Sequence, residues 1–141
     1  VQGPKIELFF SECKQEFFPE WDQESEWKIT FDENPVDPGA SGFCNVMDKL
    51  IHINLRTAEK MIPEGAQALV IHEICHDAGG EGHSDKWAQR MVEAKNVAHK
   101  RGNLKLERLI ISSLVSHFDW KTSSVATKDY VLVLANRING D

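Results

Sequence analysis

His72-Glu73-Ile74-Cys75-His76 limits what this chain can be more than any other stretch. On an α-helix, residues four apart lie about 40° apart around the axis and roughly one turn along it. The spacing therefore turns the imidazoles of His72 and His76 toward one point. Glu73 stands about 100° round from His72, beside that point rather than on it. Two nitrogen ligands with a carboxylate at their side form the H-E-x-x-H arrangement, in which the carboxylate takes a proton from water at a metal. That reading needs a helix, and the flanking sequence supports one. Gln67-Ala68-Leu69-Val70-Ile71 leads into the motif, and no Pro or Gly falls between Ala66 and Ala78. Pro63-Glu64-Gly65 marks the start, with an acid at the positive end of the helix dipole. Gly79-Gly80, with Gly82 just after, predicts a sharp stop. The bland alternative is a surface helix that carries two histidines by accident.

His83 is the expected third ligand. It follows His76 after six residues, three of them glycine. A glycine-rich turn lets the backbone reverse and return a side chain to the same helix face. Three protein ligands leave the fourth position of a tetrahedral zinc open for water, as catalysis needs. The expectation is one Zn²⁺ per chain on His72, His76 and His83, with Glu73 as general base.

Together with Glu81-Gly82-His83, Trp87 and Met91, the motif resembles the SprT-like (Spartan-type) metallopeptidases. The likeness runs from about Trp21 to about Arg101 and is tight over residues 69–91. It implies a zinc-dependent endopeptidase whose third ligand follows a glycine, with an aromatic residue and a Met on the next helix. Trp87 and Met91 are four apart, so they share a face and are expected to pack on the motif helix without touching the metal. The resemblance also implies a strand just upstream, matched by Lys49–Leu55. In metallopeptidases of this kind an edge strand lies along the cleft and pairs with an extended polypeptide substrate. Leu50–Leu55 is expected in that role, with His52 on the face opposite Ile51 and Ile53. Such sites also use an oxyanion-stabilising side chain, for which His52, His99, His117 and Tyr130 are candidates. The metzincin pattern fits less well, because Gly82 stands where its third histidine belongs. A gluzincin would take Glu93 as third ligand. The non-catalytic alternative is a metal-binding module that acts in protein or DNA-complex recruitment.

Charge and cysteine content narrow the surroundings. The net charge of −6 argues against non-specific nucleic-acid binding, which rests on phosphate neutralisation. Lys95, His99, Lys100, Arg101, Lys105 and Arg108 form the one basic stretch and read as a solvated face. No run approaches the roughly 20 apolar residues of a membrane span. Cys13, Cys44 and Cys75 are odd in number and contain no C-x-x-C pair, which favours a reducing, cytoplasmic setting. A Cys13–Cys44 disulfide, and secretion after removal of an N-terminal segment, stay open as alternatives. Cys75 is expected to be a small buried apolar residue.

The 141 residues fit one domain, 1–141, with room for a core. Lys5–Phe18 has the apolar spacing of a short helix. Trp27–Phe31, Phe43–Met47 and Leu50–Leu55 read as strands, with a loop over Asp32–Gly42 and a turn at Asp48-Lys49. Ser84 is the expected N-cap of a helix running to about Lys100 and ending at Gly102-Asn103. Leu104–Phe118 reads as helix, Trp120–Thr127 as loop, and Tyr130–Ile138 as helix or strand. Residues 103–141 lie beyond the resemblance and carry no assigned role. The expected class is α+β: a small antiparallel sheet packed on a helical core that carries the H-E-x-x-H helix.

Overall fold

The computed structural model describes residues 1–32, 40–79 and 82–140. Among these, the elements run α1 (Gly3–Glu16), β1 (Lys28–Asp32), β2 (Gly42–Asn45), β3 (Leu50–Asn54), α2 (Leu55–Glu59), α3 (Pro63–Gly79), α4 (Asp85–Lys100), α5 (Leu104–His117) and α6 (Val125–Gly140). The class is α+β, as expected. Gly80 and Glu81, and most of the loop expected between Asp32 and Gly42, lie outside the described residues.

The sheet corrects one expectation. Its order is β1-β3-β2, and it is mixed rather than antiparallel. β2 and β3 pair antiparallel across the turn at 46–49, while β1 pairs parallel with β3, Ile29 opposite Ile51. The reason lies in β3 itself. Ile51 and Ile53 are fully buried, and a strand that apolar is best covered with a neighbour on each side. β3 is therefore central rather than the edge strand expected over Leu50–Leu55, and β1 and β2 are the edges of this sheet. Leu55 leaves the strand altogether and begins α2, where the Asn54 side chain accepts the Arg56 amide at 3.1 Å.

The helices follow their apolar spacing. Ile6, Phe9, Phe10 and Cys13 of α1 are buried on one face, the i, i+3, i+4, i+7 pattern of an amphipathic helix. Trp87, Met91, Ala94 and Ala98 of α4 are fully buried. α4 ends at Gly102, whose φ of 73° suits glycine. Asn103 then caps α5 by accepting the Leu106 amide at 3.2 Å. Ser84 precedes α4 as expected, but its side chain makes no cap bond. The neighbouring Asp85 carboxylate instead accepts the Ser124 amide at 2.9 Å, tying the start of α4 to the start of α6. The expected loop after Trp120 is shorter than read, since α6 already begins at Val125. The Tyr130–Ile138 ambiguity resolves as helix: Val131, Leu134 and Ala135 are buried and Ile138 packs beside them, one face spaced at i, i+3, i+4, i+7.

α3 is the hub. It packs against α1, α4, α5 and β2, so all but one stripe of it is covered. At its C-terminal end, Asp77 accepts the Trp21 indole N–H at 2.7 Å, which anchors the helix to an aromatic cluster of Phe10, Trp21 and Trp27.

Candidate metal centre

The i, i+4 spacing on α3 does what the sequence predicts. The Nε2 atoms of His72 and His76 are 3.3 Å apart, and His83 brings its Nε2 within 3.2 Å of that of His72. One ligand atom from each of the three residues lies within 4.8 Å of the others. His72, His76 and His83 thus lie close enough to hold a metal ion. His72 and His76 are buried, and His83 is half-buried at the mouth.

Three imidazoles that face one another suit a cation only if they stay unprotonated. Burial first, then the charges of His76, His117 and His83, pushes His72 down to about 2. Burial and the neighbouring His76 and His117 lower His83 to about 4. Both are neutral at pH 7, with lone pairs available. The other ring nitrogen of His72, Nδ1, lies 2.8 Å from the Ser113 hydroxyl on α5, a group that can accept a proton from it or donate one to it. A proton on Nδ1 donated to that oxygen leaves the Nε2 lone pair for the metal. The backbone helps too. The Trp87 indole N–H donates to the His72 carbonyl at 3.3 Å, and the Asp119 amide donates to the His83 carbonyl at 2.9 Å.

Glu73 is 3 % exposed and lines the same cavity as the three histidines. Burial pushes its carboxyl up to about 8, and a cation nearby would favour the charged form. Opposite it runs β2. A Cβ on Gly42 would come 3.2 Å from Glu73 Oε2 and 2.7 Å from the His52 carbonyl oxygen, so only a glycine lets the strand pass this close. The Asn54 amide donates to the Ser41 carbonyl at 2.8 Å, which makes that opposite pair a hydrogen-bonded one. By the alternation of an antiparallel ladder, Phe43 and Asn45 also turn their polar groups toward β3, and Gly42 and Cys44 turn theirs to the free edge. That edge borders the cavity.

The cavity measures about 840 Å³. Its third wall is α5, through Leu109, Ser113 and His117. The His117 ring lies edge-on to His72 at 4.9 Å and stacks on His83 at 5.6 Å. Of the four oxyanion candidates, His117 alone reaches the cavity. His52 sits on the central strand, stacked on Phe43 with Nδ1 3.0 Å from the Thr30 hydroxyl. His99 is paired with Glu107 at 3.0 Å, and Tyr130 lies under Lys95 between α4 and α6. Glu93 is exposed and 3.8 Å from Arg90, away from the three histidines. Trp87 and Met91 are fully buried. Trp87 packs its ring within 5.1 Å of the His72 ring, and its N–H is spent on a carbonyl.

Sequence reasoning missed Ser113 and Leu109. Leu109, Ser113 and His117 recur every four residues along one helix face, which is a readable stripe. Nothing local to them says that the stripe meets α3. The three cysteines are free, and burial drives the Cys13 thiol, like that of Cys44, up to about 12. Cys75 is buried, off the metal-facing side as expected. No helix among the described residues is long and apolar enough to cross a membrane. No model of a known protein family matches the chain, and no curated protein does.

Proposed function

We propose that the chain is a zinc-dependent endopeptidase acting on polypeptide in extended conformation. The observation that carries this reading is Glu73. Among the described residues, this carboxylate, buried beside three converging imidazoles in a cavity bordered by a strand edge, has no hydrogen-bond or ion-pair partner that would explain it. A structural zinc site closes with four protein ligands, whereas among the described residues this cluster offers three histidines, with the Glu73 acid beside them. Zinc, when bound, supplies Lewis-acid polarisation of a carbonyl and acidifies water. The residues do the rest. Glu73 accepts the proton of the attacking water and returns it to the leaving amine. The outward N–H and C=O groups of Gly42 and Cys44 hydrogen-bond the substrate backbone as an added strand, which demands little of its sequence. His117, at the rim, is the side chain best placed to contact the polar atoms of the substrate.

The Glu73→Gln variant keeps size and hydrogen bonding but cannot take the proton. It is expected to retain its zinc and its melting temperature and to cut an unfolded protein at least about 10²-fold more slowly. Equal cleavage by both proteins refutes the general-base role. Zinc bound in both, with no cleavage by either, favours the recruitment module.

A further inference from the structure

The cavity is larger than a metal centre needs, and its extra space has one chemical character. From His72 it continues along the same face of α3 toward the N-terminus, past Leu69 and Ala68 to Gly65, roughly 10 Å along the axis. Met61 and Ile62, which precede α3, and Leu109 of α5 also line it. Every one of these six residues is apolar or glycine. Among the described residues that line the cavity there is no Lys, Arg or Asp, and Glu73 is the single acid, at the metal end. The floor is deep because Gly65 and Ala68 are small. A Cβ on Gly65 would meet Met61 and Ile62 only at ordinary contact distances, 3.5 and 3.7 Å, so glycine is not needed there for the backbone. Ile62 is left 47 % exposed at the end of this groove, although it points at an apolar space that a ligand could fill.

We propose that this groove is the specificity subsite: it takes one bulky apolar side chain of the substrate, Leu, Ile, Met or Phe, from a residue flanking the cut bond. The inference rests on the endopeptidase reading and adds its substrate class. An added strand on β2 alternates its side chains between the two faces. The side chain next to the reacting carbonyl and on the α3 side therefore meets the groove. Water leaving apolar surface supplies the affinity. A charged side chain there would lose its hydration with no partner in return. Unfolded chains, which expose residues normally buried in cores, fit this selection.

Two measurements test it. In the first, reduced and alkylated lysozyme is digested and the cut sites are mapped by mass spectrometry, followed by rates on peptides that differ in the one flanking residue. Leu or Phe is expected to be preferred over Gly, Asp or Lys by about 10- to 10²-fold in kcat/KM. Gly65→Leu fills the floor and should collapse that ratio; Ile62→Asp, at an exposed position, should collapse it without risk to the core. Cleavage with no preference overturns the groove while leaving the peptidase reading intact. The second measurement needs no turnover. N-acetyl-leucine amide, titrated at millimolar concentration into the ¹⁵N-labelled chain, should shift the amide signals of Gly65, Ala68, Leu69 and Leu109, and N-acetyl-glycine amide should not. Shifts elsewhere, or equal shifts with both amides, overturn the proposal even if the chain cuts nothing, an outcome that would itself count against the peptidase reading.

Discussion

At the scale of single residues, the convergence of His72, His76 and His83 was the most legible part of this chain. His72 and His76 could be placed because helical periodicity fixes what an i, i+4 pair can do, and His83 because glycines free the backbone between them. Ser113 was not legible, since its role depends on which face of α5 meets α3. That role is testable. The Ser113 hydroxyl holds Nδ1 of His72 at 2.8 Å, and outer partners of this kind typically contribute about 10- to 100-fold in metal affinity. Ser113→Ala is expected to lose zinc to a competing chelator within that range, with its melting temperature little changed. Ser113→Thr, which keeps the hydroxyl, should recover most of the affinity. Gly42 makes a second residue-scale prediction. A methyl group there meets the His52 carbonyl oxygen at 2.7 Å, so Gly42→Ala must displace the strand edge beside Glu73. Cleavage should fall while zinc content stays the same, and zinc analysis beside a peptide assay separates the two.

Among the elements, four of the six helices of the described residues came through the sequence and sheet order did not. Residues 28–32 and 50–54 alternate and carry β-branched side chains, a local signal that 42–45 lacks. The insertion of β3 between β1 and β2 is a tertiary choice made by the burial of Ile51 and Ile53, and no local pattern announces it. α2 was hidden for a similar reason, because Leu55 continues the alternation of β3 until the Asn54 side chain caps a helix instead. α4 gives the clearest stability prediction. Trp87 is fully buried against the motif helix, so Trp87→Ala should cost about 3–5 kcal/mol, read from denaturant unfolding. The turn ahead of β1 gives a pH-dependent one. Burial pushes the Asp22 carboxyl up, but the Lys14 ammonium at 2.7 Å and the amides of Glu26 and Trp27 outweigh it and hold it below the usual carboxylate range. Its contribution is therefore complete above the unfolded value of about 3.9 and is lost as pH falls through the lower folded value. Asp22→Asn should melt lower than wild type at pH 7, and the gap should shrink in melts taken below about pH 3.

Across the whole molecule, the C-terminal residues beyond Arg101 turn out to be part of the site. α5 lies against both α3 and α4, places Ser113 on His72 and supplies one cavity wall. A chain cut after Arg101 is expected to lose its cooperative thermal transition by circular dichroism. The proposed ligands also come from separate pieces of the fold, two from α3 and one, His83, from the segment just before α4, whose carbonyl accepts the amide of Asp119 from just past α5. A metal gripped by all three is available only to the folded chain, so its binding energy adds to folding energy. At a free concentration one hundred times the dissociation constant, the addition is about 2.7 kcal/mol. With such an ion bound, thermal resistance would become a gauge of its free concentration, and the persistence of the folded chain would follow metal supply.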